Sequence, residues 1–160
     1  MKMFEATLQK PHDILANAKS LCTDFADKHP IDQILSNFTS TNQGADIVCY
    51  EYGARHQSVP FLGREFRGLN GARAYFELLS QLLSYDNMIF SEYIVDENNM
   101  TVSVRGEATF TWLSTKQSWD EVFTYRLKFD EVDGKIVKYE VWADSLSAYL
   151  ASTGQLQQER

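Results

Sequence analysis

The chain has 160 residues, 44% of them apolar and 23% charged, and a formal net charge of −7. That length and balance suit one domain with a real core and exclude a disordered chain. The acidic surplus argues against a nucleic-acid surface. No apolar run approaches the ~20 residues that cross a bilayer. Met1–Lys10 also lacks the apolar stretch of a signal peptide. The expected setting is soluble and cytoplasmic, with neither a membrane nor a nucleic acid as partner.

After Pro11, a stripe of Ile14, Ala18, Leu21, Cys22 and Phe25 has the spacing of one helix face. His29-Pro30 ends it, because the residue before proline leaves the helical region. Pro30 suits the first turn of a short second helix with Ile31, Ile34, Leu35 and Phe38 on one side. Thr39–Gly44 is polar and reads as a loop. A strand follows, Ile47-Val48-Cys49-Tyr50-Glu51-Tyr52, and then an irregular stretch from Gly53 to Asn70. Asn70 reads as a cap for a third helix with Ala72, Tyr75, Phe76, Leu79, Leu82 and Leu83 as its apolar stripe.

From Asp86 the period changes to two. Four strands are expected, at Asn87–Val95, Thr101–Leu113, Trp119–Phe129 and Lys135–Ala143, with Asp133-Gly134 as the last hairpin turn. Asp144 can cap a closing helix that turns Leu146, Tyr149 and Leu150 inward. Helices in front and an antiparallel meander behind define an α+β domain. The expected layout is a single domain over residues 1–160, with a core at about 12–151 and a polar tail at 152–160.

One strand face is polar, with Arg105, Glu107, Arg126 and Glu140. The other carries Val104, Gly106, Ala108, Phe110 and Trp112, then Phe123, Tyr125, Leu127 and Phe129, then Val137, Tyr139 and Val141. Small Gly106 and Ala108 amid so many rings predict a cavity rather than a filled core.

Glu51 is the only carboxylate in its apolar strand and shares a face with Ile47 and Cys49. Turned inward, it is an acid in a dry pocket, where desolvation raises its proton affinity and suits it to proton transfer. Turned outward, or paired with Arg64, Arg67 or a tyrosine hydroxyl, it is structural. Tyr93, Tyr125 and Tyr139 can line the inner face and polarise a carbonyl or hold an enolate, or can serve as ordinary aromatic core. His56 lies in the loop after the Glu51 strand, where it is either a second acid/base or a solvated side chain. His12 and His29 read as structural groups at helix ends, and Asp24, Asp27 and His29 as a solvated helix end. The three histidines have no metal-ligand spacing, so no metal is expected.

The layout resembles the nuclear-transport-factor-2-like cone fold, and within it the SnoaL-like branch. The resemblance is carried by Asp46-Ile47-Val48-Cys49-Tyr50-Glu51, by Phe61-Leu62-Gly63-Arg64-Glu65-Phe66-Arg67-Gly68 leading into Tyr75-Phe76, by Asp133-Gly134-Lys135-Ile136-Val137, and by Trp142-Ala143-Asp144. It implies a cone-shaped curved antiparallel sheet with the N-terminal helices over its concave face, a cystatin-like roll. Ketosteroid isomerase, scytalone dehydratase, limonene epoxide hydrolase and polyketide cyclases share that fold. Fungal natural-product isomerases and cyclases are most similar, since Glu51-Tyr52-Gly53 resembles a Glu-His-Gly element there, with tyrosine in place of histidine.

The resemblance implies a cofactor-free isomerase, cyclase or dehydratase of secondary metabolism, acting on a hydrophobic polyketide or terpenoid-type intermediate. Glu51, His56, Tyr125 and Tyr139 are then the catalytic candidates. Cys49, Tyr93, Ala108, Phe110, Trp112, Phe123 and Val141 are the substrate-binding ones. A homodimer through the outer sheet face is implied as well. Val141 falls where polyketide cyclases and epoxide hydrolases of this type place an aspartate, which speaks against those two chemistries. The alternative is a non-catalytic module of the same fold that binds a small hydrophobic ligand or serves in assembly.

Overall fold

The computed structural model describes residues 11–157; the Met1–Lys10 reading and the last residues of the expected tail lie outside them. The elements run α1 (Ile14–Ala26), α2 (Ile31–Leu35), a 3-10 turn (Thr41–Gly44), β1 (Val48–Tyr52), β2 (Glu65–Arg67), α3 (Gly68–Leu82), β3 (Leu83–Asp96), β4 (Thr101–Trp112), β5 (Ser118–Phe129), β6 (Ile136–Trp142) and α4 (Ser145–Ser152). The six strands form one sheet in the order β2-β1-β6-β5-β4-β3. All pairings are antiparallel except β1 with β6, where Glu51 lies opposite Val141. The expected α+β roll, with a curved open sheet and helices at its front, is the observed fold.

Curvature comes from irregular pairing. β3 shifts register between Asp86 and Ile89 and again between Ser91 and Ile94, and Asn87 and Glu92 sit at φ 54° and 57° within those bulges. Each extra residue bends the strand and increases its twist, wrapping the long strands around the helices. Helix α1 packs on β3 and β4, and α3 packs on β1, β2 and β3. The buried stripe of α1 is Ile14, Ala18, Leu21, Cys22 and Phe25, as its spacing dictates.

Several boundaries differ from the sequence reading. Glu65–Arg67 is a strand inside the stretch expected to be irregular. It pairs with β1 over three residues, too few to show a period. Helix α3 begins at Gly68, so Asn70 lies in its first turn and caps nothing. Gly68, at φ +74°, turns the chain directly from β2 into the helix, a conformation that costs glycine little. Leu83 belongs to β3 rather than to the helix. On β6, a register shift beside Lys128 and Phe129 brings Ile136 into the core in place of the expected Val137, which is half-buried.

Asp144 caps α4 as expected, accepting from Ser147 N at 3.0 Å. The helix buries Ala148 and Ala151, while Leu146 stays exposed because it sits on the opposite side of this short helix. Asp144→Ala is expected to cost about 1 kcal/mol, the usual loss for an N-cap, measured as a lower urea midpoint with an unchanged slope.

Candidate functional site

A cavity of about 380 Å³ lies between the helices and the concave sheet face. Its rim includes the exposed Lys28, Ser80 and Ser84, and its wall is mostly aromatic. Ring contacts run from Phe25 to Phe76 (5.7 Å between centroids), from Phe76 to Tyr139 (5.5 Å) and from Tyr139 to Tyr125 (4.9 Å). Phe110, Phe123 and Val141 line the same space.

Glu51 projects into this cavity from β1 and is buried, with 9% of its surface exposed. The Tyr75 hydroxyl, from α3, donates to its Oε2 at 2.9 Å. Burial pushes the carboxyl from an ordinary 4.5 up to about 8; the Tyr75 hydrogen bond offsets part of that rise and the charge of Glu121 adds to it. Tyr75 itself is held well above the usual phenol range by burial, so it remains a donor.

Glu121, at the start of β5, is the second buried carboxyl on this cavity, at 8% exposure. Its Oε1 accepts from the Trp119 indole nitrogen and from the backbone N of Asp144, each at 3.1 Å. Burial lifts it from 4.5 to about 7, against both hydrogen bonds. It is absent from the residues that the sequence nominates, although the alternation through Tyr125 and Phe123 places Glu121 on the inner face when continued by one more step. Tyr75 reads in sequence as apolar stripe alone; its hydroxyl becomes informative only once Glu51 is seen beneath it.

No buried side-chain oxygen or nitrogen among the described residues lacks a partner. Oε1 of Glu51 and Oε2 of Glu121 accept no hydrogen bond there, so these are the oxygens left accessible. Both tyrosines of the far wall, Tyr125 and Tyr139, are held well above their ordinary range by burial and keep their protons. The chemistry available is therefore two carboxyls poised near neutrality beside phenolic donors, in a wall that carries little charge.

The other expected site residues lie elsewhere. His56 is exposed and does not line the cavity; its Nδ1 accepts from Ser58 N at 3.1 Å and its ring meets Tyr149 edge-on at 4.9 Å. The loop after β1 folds back on itself through the His56–Val59 bridge, which holds the ring outside. Cys49 shares the Glu51 face but is fully buried off the cavity, and burial pushes its thiol far up. Tyr93 sits in the second bulge of β3 and turns toward α1, beside Cys22 and under Lys19. Trp112 packs on Phe61 at 6.4 Å. Ala108 is buried without reaching the main cavity. Glu51 pairs with a tyrosine hydroxyl rather than with an arginine: Arg64 lies over the Phe66 ring and Arg67 pairs with Glu65 at 2.5 Å.

His29 and Asp24 differ from the solvated helix end expected of them. Asp24 is buried, and its carboxylate takes His29 Nδ1 at 2.8 Å, Asn37 Nδ2 at 2.7 Å and Gln33 Nε2 at 3.0 Å. Burial pushes that carboxyl up, but these hydrogen bonds outweigh it and hold it below its ordinary range. His29 lines the cavity near Lys28. Among the described residues no three His, Cys, Asp or Glu side chains cluster as a metal site would need, and no helix is long and apolar enough to cross a membrane.

The raised carboxyls have a definite sign in stability. Glu51 and Glu121 hold protons in the fold that the unfolded chain releases above its ordinary 4.5. Their contribution is fully present below about 4.5 and is lost as pH rises through 7 and 8, at roughly 1.4 kcal/mol for each pH unit crossed by each group. The unfolding free energy is therefore expected to fall between pH 5 and 8. Urea titrations across that range should give a flatter pH dependence for Glu51→Gln and Glu121→Gln than for the parent.

No protein-family model and no curated protein matches the chain. Solved structures do. TerC, co-crystallised with polyporic acid, matches with a TM-score of 0.70 at 18% identity, over 88% of this chain and 98% of that one. A Bacillus subtilis protein provisionally assigned as an isomerase matches at 0.71 and 11%, over 91% and 96%. A SnoaL-like protein from Jannaschia sp. CCS1, provisionally assigned as a polyketide cyclase, matches at 0.68 and 12%, over 91% and 93%. Further matches are described as nuclear-transport-factor-2-like proteins. The chain has the nuclear-transport-factor-2-like fold.

Proposed function

We propose that the chain is an enzyme that needs no cofactor and moves protons on a hydrophobic organic intermediate, as an isomerase, cyclase or dehydratase. The observation that carries this reading is Glu51, a buried carboxyl raised to about 8, tied to Tyr75 and open on one oxygen to an aromatic-walled cavity. A carboxyl with a proton affinity near ambient pH can take a proton and return it, the condition for general acid–base catalysis. Tyr125 and Tyr139 are the donors for an oxyanion that develops on the substrate. The cavity volume suits a small polycyclic molecule, and the match to a protein assigned as a polyketide cyclase supports a polyketide-type substrate.

The protein acts in this reading as a soluble homodimer joined through the outer sheet face. Tyr52 and Trp142 stack there with centroids 4.4 Å apart and Val122 is 54% exposed. The test of function is catalysed exchange of the α-protons of β-tetralone, a hydrophobic ketone, in heavy water, followed by NMR. Acceleration that disappears in Glu51→Gln is the expected result. An undiminished rate in that variant removes Glu51 from the chemistry.

A further inference from the structure

Glu121 and Glu51 reach the same cavity from different strands, and each is held in the same manner. One oxygen is fixed by protein donors, Tyr75 for Glu51 and Trp119 with the Asp144 backbone for Glu121. The other oxygen of each is accessible. The groups facing Glu121 are the Trp119 indole from its own strand, the Asp144 carboxylate and backbone from the start of α4, and Glu51 from β1. Among the described residues no cation pairs with either carboxyl. Lys28, at the rim, is paired with Asp86 at 2.8 Å. Two buried like charges on one cavity are costly together, so the pair favours the state that carries one proton.

A structural explanation covers only half of Glu121. Its Oε1 ties β5 to the start of α4, and an amide oxygen would do that as well. A carboxyl with the second oxygen left open toward the cavity is not needed for the tie.

We propose that Glu121 is a second catalytic acid/base, working with Glu51 on one bound substrate that is a neutral, carbonyl-bearing carbon acid. This rests on the acid–base role proposed for Glu51. The ionised carboxylate takes a proton from the carbon beside the carbonyl. The C–H bond breaks, an O–H bond forms, and the electron pair moves into an enolate. The protonated partner then gives its proton to another atom of that delocalised anion. The substrate is isomerised without oxidation or reduction, and the pair again holds one proton, now on the other carboxyl. Transfer between the carboxyls or exchange with water restores the starting state. Because the pair is acidic and unanswered by cations, a substrate carrying its own carboxylate is disfavoured.

The test uses the full chain labelled with carbon-13 at the glutamate carboxyls, and β-naphthol as a neutral enol mimic. Saturation with β-naphthol is expected to move the carboxyl signals of both Glu51 and Glu121. Glu121→Gln is expected to slow β-tetralone exchange about 100-fold or more, the scale of a lost general acid or base. The loss should fall on kcat rather than KM, with Glu121→Asp recovering part of it, and the titration midpoint of Glu51 should drop. A merely structural Glu121 would leave kcat and that midpoint in place. Signals that move for Glu51 alone, or exchange that is unchanged in Glu121→Gln, overturn the role of Glu121 and leave that of Glu51 standing. Signals that move for neither residue overturn both.

Discussion

Glu51→Gln should lower catalysed proton exchange by roughly 10²- to 10⁴-fold, the range that a positioned general acid or base supplies, while the fold survives. Gln is nearly isosteric, and its amide oxygen still accepts from the Tyr75 hydroxyl, so no buried donor is orphaned. The amide at position 51 cannot take or release a proton, so any residual rate reports Glu121, the phenols and the aromatic wall. The parent rate should rise with pH toward about 8 as Glu51 ionises, and where the pair must keep one proton, as proposed for Glu121, it should fall again once both carboxyls are ionised. Tyr75→Phe removes a donor that favours the carboxylate, so its profile should move to higher pH still. Stability should change in the opposite sense from activity. Above pH 8 the parent keeps a buried ionised carboxylate with no cation partner and Gln does not, so the inactive variant should unfold at higher urea. A variant that loses activity and stability together at pH 9 would instead place Glu51 in the architecture.

Much of the frame is legible in the residues themselves. The α1 stripe, the turn at His29-Pro30, the Asp144 cap and the alternation along β4 and β5 each rest on local rules. The structure places the stripe, the cap and the alternation as those rules require, but α1 already stops at Ala26, before His29-Pro30, and Pro30 is the N-cap of α2 rather than part of its first turn. What escapes a reading of the sequence depends on contacts between distant positions. Three-residue β2 exists because β1 needs a partner on its open edge, and Ile136 displaces Val137 through a bulge that no periodicity announces. The site divides in the same way. Glu51 stands out as the one charge in an apolar strand, whereas Glu121 is preceded by Asp120 and resembles ordinary surface acid until its face is counted. His56 is near Glu51 in sequence but is carried outside by a loop whose path is set by Val59, Phe61 and Leu62 entering the core. Asp24 reads as a helix-end charge because its three partners, at positions 29, 33 and 37, lie beyond its own helix.

Gly106→Ala should be the most damaging single-methyl change in the sheet. The sequence suggests that Gly106 opens space, but the space is already taken. A Cβ there would meet Phe123 Cε2 at 2.2 Å, Cζ at 2.3 Å and Cδ2 at 2.9 Å. The two residues face each other across β4 and β5, so glycine lets the Phe123 ring lie flat over the neighbouring strand. That ring cannot withdraw freely, because Phe90 sits 5.9 Å away edge-on, Phe110 6.0 Å and Tyr125 5.1 Å. The open direction is the cavity that Phe123 lines. Overpacking of this kind costs about 1–3 kcal/mol, which for a chain of this size lowers Tm by roughly 2–4 °C per kcal/mol. The same displacement should narrow the cavity, so β-naphthol should bind more weakly to Gly106→Ala even where the protein is fully folded. A double-mutant cycle separates this from a general loss of strand quality. In a Phe123→Leu background the added methyl has room, and Gly106→Ala should there cost little. Equal costs in both backgrounds would mean that Gly106 is needed for the backbone of β4 and not for the ring, and that the shape of the cavity is set by other contacts.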